Sequence, residues 1–126
     1  MAKQKLIWKK NPDAEDYEAA HNYLLLVYSE AKSNKLVHKL RMTKIITRAA
    51  KDLLRASGLP LLAPDDRRVD SDLKRINKAK PLPPVLLIRG NMIRGMPLVV
   101  ADGYHRICAI CHYDESAPVS CRLING

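Results

Sequence analysis

The 126-residue sequence predicts an α+β fold with a small mixed β-sheet and an N-terminal helical extension. Helical periodicity of apolar residues dominates the first 58 residues. After residue 58, short apolar runs bounded by prolines and turn residues predict strands, and polar stretches of helical length separate them. The hydrophobic content of 47% is enough for a buried core, and because Phe is absent we expect that core to consist of Leu, Ile, Val and Ala.

Residues 1–58 are predicted to form an N-terminal helical module. The segment 36–57 has the composition of a helix, but its apolar stripe changes phase along the way. We therefore expect a break or kink near Arg41–Thr43. Gly58, followed by a proline two residues later, is a strong helix stop and ends the module.

Residues 59–126 are predicted to form the sheet-containing domain, packed with the helical module as one compact unit. Apolar runs that start or end at prolines indicate strands, and a polar segment with an inward apolar stripe indicates a short helix between them. The expected order is strand, helix, strand, strand, helix, strand, at residues 59–64, 65–80, 81–90, 96–102, 103–115 and 117–124.

The net charge of +9 favours an anionic partner such as a nucleotide or a nucleic acid. The helical half supplies a basic set that could lie on a phosphate backbone. The alternative is that these side chains are the solvated faces of ordinary helices. The set comprises Lys35, Lys39, Arg41, Lys44, Arg48, Lys51 and Arg55.

The sequence also bears on the compartment. No apolar run reaches the roughly 18 residues of a membrane-spanning helix. The basic start lacks the long apolar region of a secretory signal, so we expect a cytoplasmic protein with no membrane partner. The three cysteines are then expected to be reduced thiols.

The stretch from Pro97 to Glu115, "PLVVADGYHRICAICHYDE", is the strongest candidate for a binding site. Asp102 should end a strand, Gly103 should allow a tight turn, and a helix should begin at about Tyr104. Free N–H groups at a helix start, together with the positive end of its dipole, favour phosphate binding. His105 and Arg106 would add donors. The alternative is structural: Asp102 only caps the helix and Arg106 lies in solvent.

The same stretch contains Cys108-x-x-Cys111-His112, which matches a haem-attachment string. Helical phase places both cysteines on the apolar face and His112 away from it, which favours a packing role. A zinc site would need the set His105, Cys108, His112 and Cys121, and this set lacks the two close pairs typical of structural zinc. Neither haem nor zinc is expected.

The Asp-Gly-Tyr-His-Arg box and the order of elements around it resemble the ParB N-terminal domain/sulfiredoxin-like superfamily. The resemblance covers about residues 59–126, and the whole chain resembles a bacterial ParB-like protein. In sulfiredoxins a catalytic Cys stands in the box at the place of Tyr104, so sulfiredoxin activity is not expected. ParB proteins bind CTP and DNA. A free-serine kinase of this fold has a similar box, but its catalytic acid has no evident counterpart in this chain.

The resemblance implies nucleotide binding at Asp102–Arg106, with ATP or CTP and Mg²⁺ as ligands. Gly103, Tyr104 and His105, through their backbone, and Arg106 would hold phosphate. His105 would donate to the phosphate or act in proton transfer, and Asp102 would brace the turn or help to hold a metal ion. The implied activity is phosphoryl transfer or nucleotide hydrolysis. On this basis Arg106→Ala should leave the fold intact and abolish nucleotide binding. The alternative function is non-catalytic nucleic-acid binding through the basic helical half.

Overall fold

The computed structural model describes residues 5–126 and is a mixed α+β fold. Over that range it contains five α-helices, a four-stranded sheet and one short 3₁₀ helix at Met92–Arg94. The helices are α1 (Ala14–Leu24), α2 (Glu30–Met42), α3 (Ala50–Ser57), α4 (Arg67–Asn77) and α5 (Tyr104–Asp114). The strands are β1 (Ile45–Ala49), β2 (Val85–Arg89), β3 (Val99–Asp102) and β4 (Pro118–Asn125).

The sheet has the strand order β1-β4-β2-β3 and is mixed, as the sequence predicts. β4 pairs in parallel with β2, whereas the β1–β4 and β2–β3 pairs are antiparallel. The first four residues of β2, a continuous apolar run, are fully buried, as is typical of a central strand with both faces covered.

Helices cover both faces of the sheet, and side-chain alternation along β2 divides the core in two. Val85 and Leu87 face a cluster that includes buried residues of α3, α4 and α5. Leu86 and Ile88 face a second cluster, formed with α1 and α2. The chain is thus built in three layers, with α1 and α2 on one side of the sheet and α3, α4 and α5 on the other.

The main departure from the sequence prediction is β1. The predicted break is confirmed, because α2 ends at Met42 and Thr43 has an extended backbone. The helix predicted beyond that break is wrong for residues 45–49, which form an edge strand paired with β4. Two isoleucines and a threonine favour this extended conformation. The N-terminal half therefore contributes a strand to the sheet.

The strand predicted at residues 59–64 is also wrong, because this segment has no regular secondary structure. Its backbone lies beside α5 instead. The Tyr104 hydroxyl donates to the carbonyl of Pro60, and Nε2 of His112 donates to the carbonyl of Leu62 over 2.6 Å. Two prolines in the segment lack the N–H that a sheet ladder needs, which accounts for the difference.

Among the helices of residues 5–126, none combines the length and the apolar character that crossing a membrane requires.

The strand assignment at residues 45–49 can be tested by cross-linking. Ile46 lies directly opposite Cys121, at a Cα separation of about 4.5–5.5 Å for such a pair, within the range of a disulfide. We expect Ile46→Cys to form a disulfide with Cys121 under mild oxidation, detected by peptide mapping. Thr47→Cys is the matched control, because its side chain points to the other face. A reduced Ile46→Cys protein under the same oxidation would contradict the register.

Candidate functional site

The joint between β3 and α5 has the strand–turn–helix form that the sequence predicts. Asp102 is the last residue of β3, and α5 begins at Tyr104. Between them Gly103 has a φ of 106°, which residues with a Cβ rarely adopt. A Cβ at this position would also lie 2.4 Å from Cγ1 of Val85 and 2.9 Å from Nη1 of Arg106. Glycine is therefore required here for both backbone conformation and space.

Arg106 is buried, with 9% of its surface exposed. Its Nη2 lies 3.4 Å from Oδ1 of Asp16 in α1 and 3.9 Å from Oδ2 of Asp102. Nε and Nη1 are buried without a hydrogen-bond partner. The alternative in which Arg106 is solvated is thus wrong. The guanidinium lies against the Gly103 turn, where Nη1 would be 2.9 Å from a Cβ at position 103.

Asp102 does not cap α5, since the N-cap position is occupied by Gly103. Burial is the main cause that raises the pKa of Asp102, Arg106 opposes the rise and the Asp16 carboxyl adds to it, and the pKa that results is about 7. Its Oδ2 has no hydrogen-bond partner. Asp102 is therefore a half-buried acid that holds its proton more tightly than an exposed aspartate does.

A cavity of about 220 Å³ opens between α4 and the β3–α5 joint. From the joint it is lined by Asp102, Gly103, His105 and Arg106, four of the five residues that the sequence singles out. The backbone N–H groups of the first turn of α5 are free of intrahelical bonds, as at any helix start. The structure thus brings most of the predicted box to one concave surface.

The side chain of Tyr104 is directed elsewhere. Its hydroxyl is bonded to the carbonyl of Pro60, and its ring does not line the cavity, although it lies 5.5 Å from the His105 ring. The phosphate contact expected at position 104 is through its backbone N–H, so the direction of the Tyr104 side chain does not bear on that expectation.

Helix α4 contributes three cavity residues that the sequence analysis missed: Arg68, Ser71 and Asp72. Burial raises the pKa of Asp72, opposed by Arg106, Arg75 and His105. The three occupy positions i, i+3 and i+4 of α4, beside the apolar stripe that packs into the core. The polar residues beside the apolar stripe of α4 could have indicated these site residues in the sequence. Acidic residues near a helix start are more often capping residues, however, and they were interpreted in that way. Asp66 is indeed the N-cap of α4.

The cysteines have structural surroundings. Cys108 and Cys121 are buried and Cys111 is half-buried. Burial raises the pKa of all three thiols, to about 11 for Cys111 and Cys121, which disfavours the reactive thiolate. Nε2 of His112 is engaged by the Leu62 carbonyl. Within residues 5–126 there is no cluster of three or more His, Cys, Asp or Glu side chains suited to a metal ion.

A magnesium ion that is carried by a nucleotide needs fewer protein ligands than a metal ion that is bound by the protein alone. It keeps several waters and binds through one or two carboxylates plus phosphate oxygens. The cavity offers two carboxylates, Asp72 and Asp102, and burial makes both reluctant to carry an uncompensated negative charge. The residues present therefore fit such an ion.

The basic residues of the N-terminal half do not form one surface. Lys35 and Lys39 are on α2, whereas Lys51 and Arg55 are on α3. Those two helices cover opposite faces of the sheet, because they belong to different core clusters. The continuous basic helix face that the sequence suggested is thus divided between two sides of the molecule.

Comparison with protein-family models, with curated proteins and with solved structures found no match. The resemblance of residues 59–126 to the ParB/sulfiredoxin-like superfamily stays an interpretation of the box and of the order of elements. Functional inference for this chain therefore depends on its own geometry.

Burial of Arg106 changes the expectation for its removal. Arg106→Ala would leave Asp16 and Asp102 buried without their cation, so we expect a loss of about 3–5 kcal/mol in the free energy of unfolding, measured by urea denaturation. The expectation from the sequence that Arg106→Ala leaves the fold intact is therefore replaced by an expected loss of stability. Arg67→Ala, an exposed arginine of α4, is the control and should change little. Equal urea midpoints for the two variants would contradict the buried ion pair.

The raised pKa of Asp102 predicts a pH-dependent loss of stability. In the unfolded chain this carboxyl titrates near its ordinary value of 3.8, whereas in the folded protein it titrates at about 7. The folded state therefore binds more protons between those values, and stability falls as the pH rises through this window. Asp102→Asn removes the effect. We expect the Tm of the wild type, relative to Asp102→Asn, to fall between about pH 4 and pH 7, that is, between the ordinary and the raised pKa of this carboxyl. Parallel Tm curves would show that Asp102 is ionised throughout.

Proposed function

We propose that this chain is a ParB-like protein that binds a nucleotide through its phosphate groups, in the cavity between α4 and the start of α5. The observation that carries the proposal is that one cavity joins a glycine-led helix start to cationic and acidic side chains from two helices. Backbone N–H groups, His105 and Arg68 supply donors for phosphate oxygens.

The two sides of the cavity suit two parts of a magnesium nucleotide. The start of α5 carries the positive end of the helix dipole and faces the phosphate. Asp72 and Asp102 would face the cation, which neutralises phosphate charge when it is bound. ATP and CTP, the ligands implied by the resemblance, share this triphosphate chemistry. His105 is the one aromatic side chain that lines the cavity among the described residues, so the lining offers little to identify the base.

Arg106 has a positioning role in this proposal. Its guanidinium is held beside Gly103 by Asp16 and Asp102, and because only 9% of Arg106 is exposed, it would line the cavity mainly as a buried charge. A phosphate at the helix start would meet this positive charge through a region of low dielectric constant, where charge interactions are stronger than in water. Arg68 is the exposed arginine available for direct contact.

Phosphoryl transfer or nucleotide hydrolysis is the activity that fits these residues. Both reactions depend mainly on positioning and on charge stabilisation, with one group to accept a proton from the attacking hydroxyl or water. Asp102 has a pKa of about 7, close to the value at which a general base works best at neutral pH. When Asp102 faces the cation, its pKa falls, and His105, which lines the same cavity, is then the candidate for this step.

The test is thermal melting with ATP, CTP, GTP and ADP, each with and without Mg²⁺. A nucleotide at about 100 times its Kd stabilises the protein by roughly 2.7 kcal/mol, which is readily seen in the Tm. We expect Arg68→Ala to weaken the binding of that nucleotide about tenfold, because a charged hydrogen bond is lost.

Arg67→Ala is the matched control, since Arg67 is the neighbouring exposed residue of α4 and does not line the cavity. Both variants remove one positive charge, so a difference between them reports direct contact. Absence of a Tm shift with any nucleotide, or an equal effect of the two variants, would reject the site. Release of inorganic phosphate by the wild type but not by Asp102→Asn would establish hydrolysis.

A further inference from the structure

A second and larger cavity, of about 400 Å³, lies between the start of α2 and the hairpin that joins β2 to β3. It shares no residue with the cavity at the start of α5. The side chains that matter for its chemistry are Tyr28, Lys32, Arg89, Asn91, Arg94 and Asn125.

The side chains of this cavity carry a net positive charge. Lys32, Arg89 and Arg94 come from three different parts of the chain, and among residues 5–126 no Asp or Glu side chain lines the cavity with them. None of the three forms an ion pair with a carboxylate of residues 5–126. Arg89 donates through Nε to Oδ1 of Asn125 over 3.0 Å, which orients its guanidinium. Three cations around one concavity repel one another unless an anion lies between them.

The hairpin that carries Arg94 is a defined structure. Asn91 and Met96 exchange two backbone hydrogen bonds, of 2.7 and 2.8 Å, across its neck. The side chain of Asn91 also accepts from the backbone N–H groups of Ile93 and Arg94, at 3.1 and 3.3 Å. A Cβ on Gly90 would lie 2.4 Å from the Met96 carbonyl oxygen, so glycine permits this close approach. The position of Arg94 is therefore set by the backbone of the hairpin.

The cavity also contains an aromatic ring. Tyr28 is half-buried and packs against the core cluster formed with α1 and α2, which limits the motion of its ring. The Lys32 ammonium group lies 6.0 Å from the ring centroid. A fixed ring beside unpaired cations can stack a base while the cations hold phosphates.

From this arrangement we infer that the hairpin cavity binds a single-stranded nucleic acid. Separate cations suit successive phosphates of a strand, and stacking on Tyr28 tolerates any base, as in proteins that bind single strands without sequence preference. A duplex keeps its bases paired, so it would contact only the cations and would not stack a base on Tyr28. This inference is independent of the nucleotide site at α5, because the two cavities use different residues.

The test is fluorescence anisotropy with a labelled oligothymidylate of about 12 nucleotides, within the range of known single-strand site sizes. We expect Arg94→Ala and Lys32→Ala each to weaken binding about fivefold to tenfold and to lower the slope of log affinity against log salt by about 0.7 per lost phosphate contact. Lys35→Ala is the control, because Lys35 is an exposed cation of the same helix outside the cavity.

Tyr28→Leu keeps an apolar side chain at position 28 and removes the stacking surface. We expect this substitution to weaken binding of the single strand at least fivefold and to leave any binding of a duplex unchanged. The inference is overturned if no strand binds at low salt, if Lys35→Ala matches Arg94→Ala, or if Tyr28→Leu has no effect. A nucleotide-induced Tm shift that survives Arg94→Ala would show that the two sites are separate, whatever the fate of either proposal.

Discussion

The buried interaction of Arg106 with Asp16 and Asp102 is the constraint on which the rest of the structure depends. Asp16 uses one carboxylate oxygen to accept from the backbone N–H of Asp13 at the start of α1, over 2.7 Å, and the other to contact Arg106 in α5. One side chain thus fixes the beginning of α1 and ties it to the β3–α5 joint. Because charges buried without partners cost several kcal/mol each, α1 cannot leave the sheet without exposing or orphaning this group.

The same interaction explains the chemistry available at the joint. With one guanidinium between two carboxyls, the cluster carries excess negative charge when both acids are ionised, and burial raises the pKa of Asp102 to about 7. A proton or a bound cation relieves that excess. Gly103 lets the guanidinium approach the turn closely, and both residues line the cavity. The residues that stabilise the β3–α5 joint are therefore the same ones that determine the charge of the cavity.

The sequence predicts the parts of the site that local physics determines. A strand end, a glycine turn and a helix start follow one another within a few residues, so the β3–α5 joint could be placed correctly. The sequence could not identify Asp16 as the partner of Arg106, because Asp16 lies 90 residues earlier in the chain and only tertiary packing brings the two side chains together. The strand at Ile45–Ala49 was missed for the same reason, since its pairing with β4 overrides a composition that also suits a helix. On α4, Asp72 became a site residue only through the packing of α4 beside α5.

The two cavities lie at opposite ends of β3. The hairpin that carries Arg94 precedes this strand, and the Gly103 turn follows it. Four residues of strand separate them, a distance of roughly 13 Å. β3 is an edge strand, and its Ala101 packs with α1 and α2 in the second core cluster. The two cavities therefore lie beside one strand, although they share no lining residue.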